Sequence, residues 1–124
     1  MRYLLTSLFL FGLSITFGQS KYNRILNSID DNKTNYSGIA QQIWSYAEMG
    51  YQETQSSALL QKTLEEAGFK ITTGVADIPT AFTATYGSGG PVIAVLGEFD
   101  ALPGLSQKAV PYKVSNDGKA GHAC

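Results

Sequence analysis

Two small groups of residues in this chain have the types and spacing for chemistry. Glu98 and Asp100 are separated only by Phe99. In an extended segment residues two apart point the same way, so both carboxylates would face one side. Carboxylates so placed can bind a cation or orient a ligand; Asp100 can equally cap the turn that follows through its side chain. The second group is His122 with Cys124. Thiolate and imidazole both suit zinc or a similar transition metal, but a structural site takes four ligands and this is a pair. The competing reading is a pair of exposed residues with no ligand, and a thiol there has no fixed surroundings to activate it as a nucleophile. No serine sits in a nucleophile elbow: Ser106 is followed by Gln107 and lacks flanking glycines.

The element that must position the two acids is residues 92–96, an unbroken run of Val, Ile, Ala and Leu. Such a run predicts a strand buried on both faces, central in a helix-covered sheet. Ligands in open α/β sheets bind beyond the carboxyl ends of strands, which is where Glu98 and Asp100 fall. Pro103-Gly104 then turns the chain away. Upstream, residues 81–86 alternate Phe82, Ala84 and Tyr86 with threonines, the pattern of a half-buried strand. Five turn residues, Gly87-Ser-Gly-Gly-Pro91, would join it to the central strand as a hairpin. As a phosphate cradle the same glycines are unconvincing, because no Lys-Ser/Thr follows and a strand comes next. Residues 69–73 also look extended, with residues 74–79 as a connector.

Three helices are expected before these strands. Tyr22, Ile25, Leu26 and Ile29 share one face of a helix over residues 21–31, which residues 30–33 should break. Ser37 would cap a second helix, running to about Met49 and stopped by Gly50. Trp44 lies beside its apolar stripe and reads as packing. Thr54 would cap a third helix over residues 55–67, with Gly68 as its stop and Glu65 and Glu66 in solvent. Glu53, just ahead, would sit against its N-terminal amides. Asn32-Lys-Thr34 and Asn35-Tyr-Ser37 match the glycosylation pattern and suggest an exposed loop.

The chain has 124 residues with a net charge of −1. That length suits one modest domain, and no clustered Lys/Arg marks a nucleic-acid surface. Residues 1–18 stand apart. Met1-Arg2 gives a positive start, residues 4–17 are mostly apolar, and Thr16-Phe17-Gly18 ends the run with small residues at its first and third places. This predicts a secretory signal peptide cleaved after Gly18, the run being short for a membrane span; an uncleaved anchor is the alternative. The expected product, residues 19–124, is periplasmic or secreted and free of the membrane after cleavage. Cys124 is its one cysteine, so no intrachain disulfide can form. Residues 106–119 are irregular and no later element seals the sheet. The sequence therefore reads as the front part of a larger protein.

Several segments, in one order, carry a family likeness: Ile43-Trp44, Ala47-Glu-Met-Gly-Tyr-Gln-Glu53, Ser57, Glu65-Glu-Ala-Gly-Phe69, Gly74-Val-Ala-Asp-Ile-Pro-Thr-Ala-Phe82, Gly97-Glu-Phe-Asp-Ala-Leu-Pro-Gly-Leu105 and Gly121-His-Ala-Cys124. The chain resembles the metal-dependent amidohydrolases of aminoacylase and carboxypeptidase G type, in the branch of p-aminobenzoyl-glutamate hydrolase. The resemblance implies an α/β fold, the N-terminal part of a three-layer zinc-peptidase-like catalytic domain. It implies two divalent ions, zinc or manganese, a bridging water that attacks an amide carbonyl, and a small-molecule amide substrate. It matches Cys124 to a metal ligand that a Cys-Gly-His motif supplies, and Asp100 to a catalytic carboxylate that orients the metal centre. His122 matches only the lead-in to that motif, and Glu98 stands where other branches carry a metal-binding His. The general-base Glu, the other ligands and a smaller domain that helps bind substrate and form homodimers lie far downstream in full-length relatives. The resemblance thus predicts an inactive isolated chain; an exported, non-catalytic binding module is the alternative.

Overall fold

In the computed structural model the backbone is described for residues 2–116, 118 and 121–122, and side chains for residues 22–116 and 118. The chain divides into two units, Met1–Gly38 and Ile39–Cys124.

The first unit is helical. Helix α1 is Arg2–Tyr46 and continues into the second unit. The break expected at residues 30–33 does not occur. Those residues include neither Gly nor Pro, and Asp or Asn inside a helix costs well under ~1 kcal/mol each. Asn32 also donates its side-chain amide to the Ser28 carbonyl at 2.8 Å, one turn back. The motifs at Asn32 and Asn35 accordingly lie within a helix, not in a loop. Ser37 is interior too and caps nothing. Tyr22, Ile25, Leu26 and Ile29 do share a helical face, and all four are exposed. Among the described residues no helix is long and apolar enough to cross a membrane.

In the second unit α1 ends at Tyr46, because Ala47 takes a left-handed backbone with φ of 50°. The stop comes three residues before Gly50. Helix α2 is Thr54–Glu66. It ends where expected: Gly68 has φ of 89°, its N–H reaches the Glu65 carbonyl at 2.9 Å, and Phe69 N–H reaches Leu64 at 3.0 Å. Those bonds satisfy carbonyls that the last turn leaves open. Glu65 and Glu66 are exposed, with Lys62 Nζ 3.8 Å from Glu66.

Strands β1 (Lys70–Thr73) and β2 (Phe82–Thr85) pair antiparallel, with Lys70 opposite Thr85 and Thr73 opposite Phe82. Helix α2 packs on both. Phe82 and Ala84 are half-buried while Thr83 and Thr85 face out. Phe69 and Tyr86 set their rings 5.2 Å apart at the open end. The connector includes a short 3-10 turn, Val75–Asp77.

The hairpin partner differs from expectation: β2 pairs back to β1, not forward to residues 92–96. That run joins no strand, and Val92, Ile93, Val95 and Leu96 are 85% to 94% exposed. A ribbon apolar on both sides needs cover on both, and no described residue supplies it. The alternating β2 needs cover on one side only, which α2 provides. The architecture is helices with a small antiparallel sheet, an α/β mix compatible with part of an α/β peptidase-like domain. A second two-residue ladder joins β3 (Leu102–Pro103) to β4 (Gly121–His122).

Candidate functional site

Few of the described residues are buried, and those lie mostly on α2 and the segments bonded to its start. Among the described residues Ala101 is the one buried hydrophobic; the other buried ones are Glu53, Ser56, Ser57 and Thr80. The acid-bearing segment is tied down by backbone. Ala101 N–H donates to the Glu48 carbonyl at 2.7 Å, and Met49 bridges Ala101 in parallel. This anchor, not a sheet, fixes Asp100.

Asp100 is half-buried and lies against Gly50. Its Oδ2 is 3.7 Å from where a Cβ on Gly50 would be, and Glu53 Oε1 is 4.0 Å from the same point. Two carboxylates thus flank one glycine. Glu53 is only 8% exposed. Its Oε2 accepts the Thr80 hydroxyl at 2.7 Å and its Oε1 accepts the Tyr51 N–H at 2.9 Å. The Thr80 carbonyl in turn accepts the Ser57 hydroxyl at 2.6 Å. A buried carboxylate needs such donors, since burial without them is costly.

The helix terminus is served by a different acid from the one expected. Glu48, not Glu53, receives the first amides of α2: Gln55 N–H at 2.9 Å on Oε1 and Ser56 N–H at 2.8 Å on Oε2. Burial works to raise the Glu48 carboxyl, but hydrogen bonding from those amides and from the Ser56 and Gln55 side chains outweighs it and holds it below its ordinary value. Thr54 does not cap by accepting a bond; its hydroxyl donates to the Gln52 carbonyl at 3.2 Å. The Ser56 hydroxyl is buried and makes no well-formed hydrogen bond among the described residues, only approaching the Glu48 carboxylate.

Glu98 and Asp100 both line a groove of about 230 Å³ whose wall includes Ile43, Trp44 and Phe99. Glu98 is exposed. Phe99 stands 6.3 Å, ring to ring, from Phe82, which links the groove to the hairpin. So the two acids singled out in the sequence do share one feature, and Trp44 lines it too. The sequence reading missed the Glu53–Thr80 pair. Its one local signal is an acid directly before a helix that has a second acid, Glu48, to serve its amides.

The second group falls largely outside the described residues. The His122 backbone pairs with Leu102, while Cys124 is not among those described. Among the described residues no three of His, Cys, Asp and Glu gather to hold a metal ion. Both oxygens of Glu53 are already engaged. The described residues alone do not complete a metal site.

No family model matches the chain. Over 109 residues it is 45% identical to one of the subunits of p-aminobenzoyl-glutamate hydrolase from Escherichia coli (strain K12), a match covering 86% of this chain and 22% of that protein. The chain is an amidohydrolase homologue. N-acetyl-L-cysteine deacetylase of Bacillus subtilis (strain 168) is 32% identical over 93 residues, 70% of this chain and 21% of its own length. The putative amidohydrolase YhaA of the same organism is 29% identical over 112 residues, 90% of this chain and 27% of its own length. This amidohydrolase homologue therefore spans about a fifth to a quarter of the relatives it matches.

Proposed function

We propose that this chain is the N-terminal portion of an exported, metal-dependent amidohydrolase, with residues 1–18 as its signal peptide and residues 19–124 opening a three-layer catalytic domain. The whole protein hydrolyses the amide bond of an N-acyl amino acid or of an aminobenzoyl-glutamate-like conjugate. It is periplasmic or secreted, acts as a homodimer on a small molecule, and binds neither nucleic acid nor membrane after cleavage. The observation that carries this reading is the 45% identity to a named hydrolase over 109 residues.

Within it, Asp100 is the catalytic carboxylate. Anchored through Ala101 and Glu48, it presents its charge on the groove that Trp44 and Phe99 line. Cys124 serves as one ligand of a zinc or manganese centre of two ions, completed by residues outside this stretch. Such ions, when bound, polarise the amide carbonyl and lower the pKa of water. The 124-residue chain alone is inactive, because catalytic zinc takes three protein ligands and one is offered here.

The test is to assay the whole protein against a panel of N-acyl amino acids and p-aminobenzoyl-glutamate, beside its Asp100→Asn and Cys124→Ser variants, and to fractionate the producing cells. Turnover that both variants lose, in the periplasmic or secreted fraction, is expected. Folded, metal-loaded protein that cleaves no amide overturns the reading, as does full activity in both variants.

A further inference from the structure

The buried Glu53 has no part in the chemistry above, yet its side chain joins two separate pieces of this unit beside Asp100. Its Oε1 holds the Tyr51 N–H at 2.9 Å, fixing the turn just after Gly50. Its Oε2 takes the Thr80 hydroxyl at 2.7 Å, from the residue that leads into β2. Its own carbonyl accepts the Ser57 N–H at 2.9 Å, while the Ser57 hydroxyl returns to the Thr80 carbonyl at 2.6 Å. The loop and the lead-in to the hairpin are thereby joined at one carboxylate, and α2 is tied to both through Ser57. Gly50 is where that junction meets the acid, with Asp100 Oδ2 and Glu53 Oε1 at 3.7 Å and 4.0 Å from its absent Cβ.

We propose that Glu53 is a positioning residue for Asp100: it clamps the Gly50–Tyr51 turn to Thr80, and that turn is the wall against which the Asp100 carboxylate is seated. The proposal rests on Asp100 being the acid of the proposed function. Glu53 is suited to hold and not to react, since each of its oxygens already accepts a donor. The loop it holds needs holding: Tyr51, with φ of 66°, has a left-handed backbone that non-glycine residues rarely adopt. Gly50 keeps the interval between the two acids free of a side chain.

The test uses the whole protein and involves no hydrolysis, so failure of the amidohydrolase reading would leave its result intact. Ala101 amide exchange and the proton contact between Gly50 and the Asp100 side chain are followed by NMR in Glu53→Gln and Glu53→Met. Gln keeps an acceptor for Tyr51 and a polar partner for Thr80; Met keeps the volume and neither bond. Glu53→Met is expected to speed Ala101 exchange by about tenfold and to lose the Gly50–Asp100 contact, as stranded buried donors would. Glu53→Gln is expected to retain both. A space-filling role would make the two variants alike, and that result overturns the proposal. If Glu53→Met does not fold, Thr80→Val and Thr80→Ser decide: loss in Val with retention in Ser supports the clamp, and wild-type behaviour in Val overturns it.

Discussion

The Glu48 carboxylate accepts the backbone N–H of Ser56 at 2.8 Å, closing the N-terminus of α2 from eight residues upstream. The same residue's carbonyl receives Ala101 N–H at 2.7 Å. One residue therefore serves the helix with its side chain and the acid-bearing segment with its backbone.

Replacing Glu48 by Ala is expected to cost about 1 kcal/mol, as loss of a helix-terminus acceptor does. The loss is pH-dependent. Folding holds the Glu48 carboxyl below its ordinary value, so in that range the unfolded chain binds more protons and stability rises with pH. The contribution is present above the ordinary carboxylate range and disappears as pH falls through the lowered folded value. Denaturation of wild type and Glu48→Ala across that range should show two curves that converge on the acid side.

Two neighbouring serines should respond to different degrees. Ser57 donates to the Thr80 carbonyl at 2.6 Å in a buried setting, so Ser57→Ala should cost about 1–3 kcal/mol. Ser56 is equally buried, but its hydroxyl makes no well-formed hydrogen bond among the described residues and only approaches the Glu48 carboxylate, so Ser56→Ala should cost well under ~1 kcal/mol. Urea unfolding of the two variants side by side measures the contrast.

The apolar ribbon at residues 92–96 should make the isolated chain associate. Ile93 and Val95 are 87% and 94% exposed on a segment that no strand pairs. Exposed unpaired apolar segments are prone to edge pairing, and charge suppresses it. The double variant Ile93→Lys, Val95→Lys should sediment as monomer where wild type does not, with the melting of α2 and the hairpin unchanged.

Asp100→Asn in the whole protein should lower kcat by about 100-fold or more, the scale of losing a positioned carboxylate. Substrate affinity should change far less. The isolated 124-residue chain, dialysed against zinc and then buffer, should keep no stoichiometric metal.

Local chemistry was legible and partner choice was not. The end of α2 was readable because Gly68 is the residue type that a left-handed stop requires, and the alternation of Phe82 and Ala84 with threonines marked β2. The break expected at residues 30–33 failed because weak helix formers do not stop a helix on their own. Glu48 and Glu53 were indistinguishable as charges near one helix. The left-handed turns at Ala47 and Tyr51 decide which of them reaches the amides and which is buried against Thr80.

By itself the sequence determined the α/β character, the acids at positions 98 and 100, and the kinship with amidohydrolases, because these live in residue type, spacing and order. Only the tertiary structure decided that β2 pairs with β1, that residues 92–96 stand in solvent, and that Asp100 shares Gly50 with a buried glutamate. Those outcomes depend on which distant segments find each other, and an apolar run or an acid carries no label for its partner.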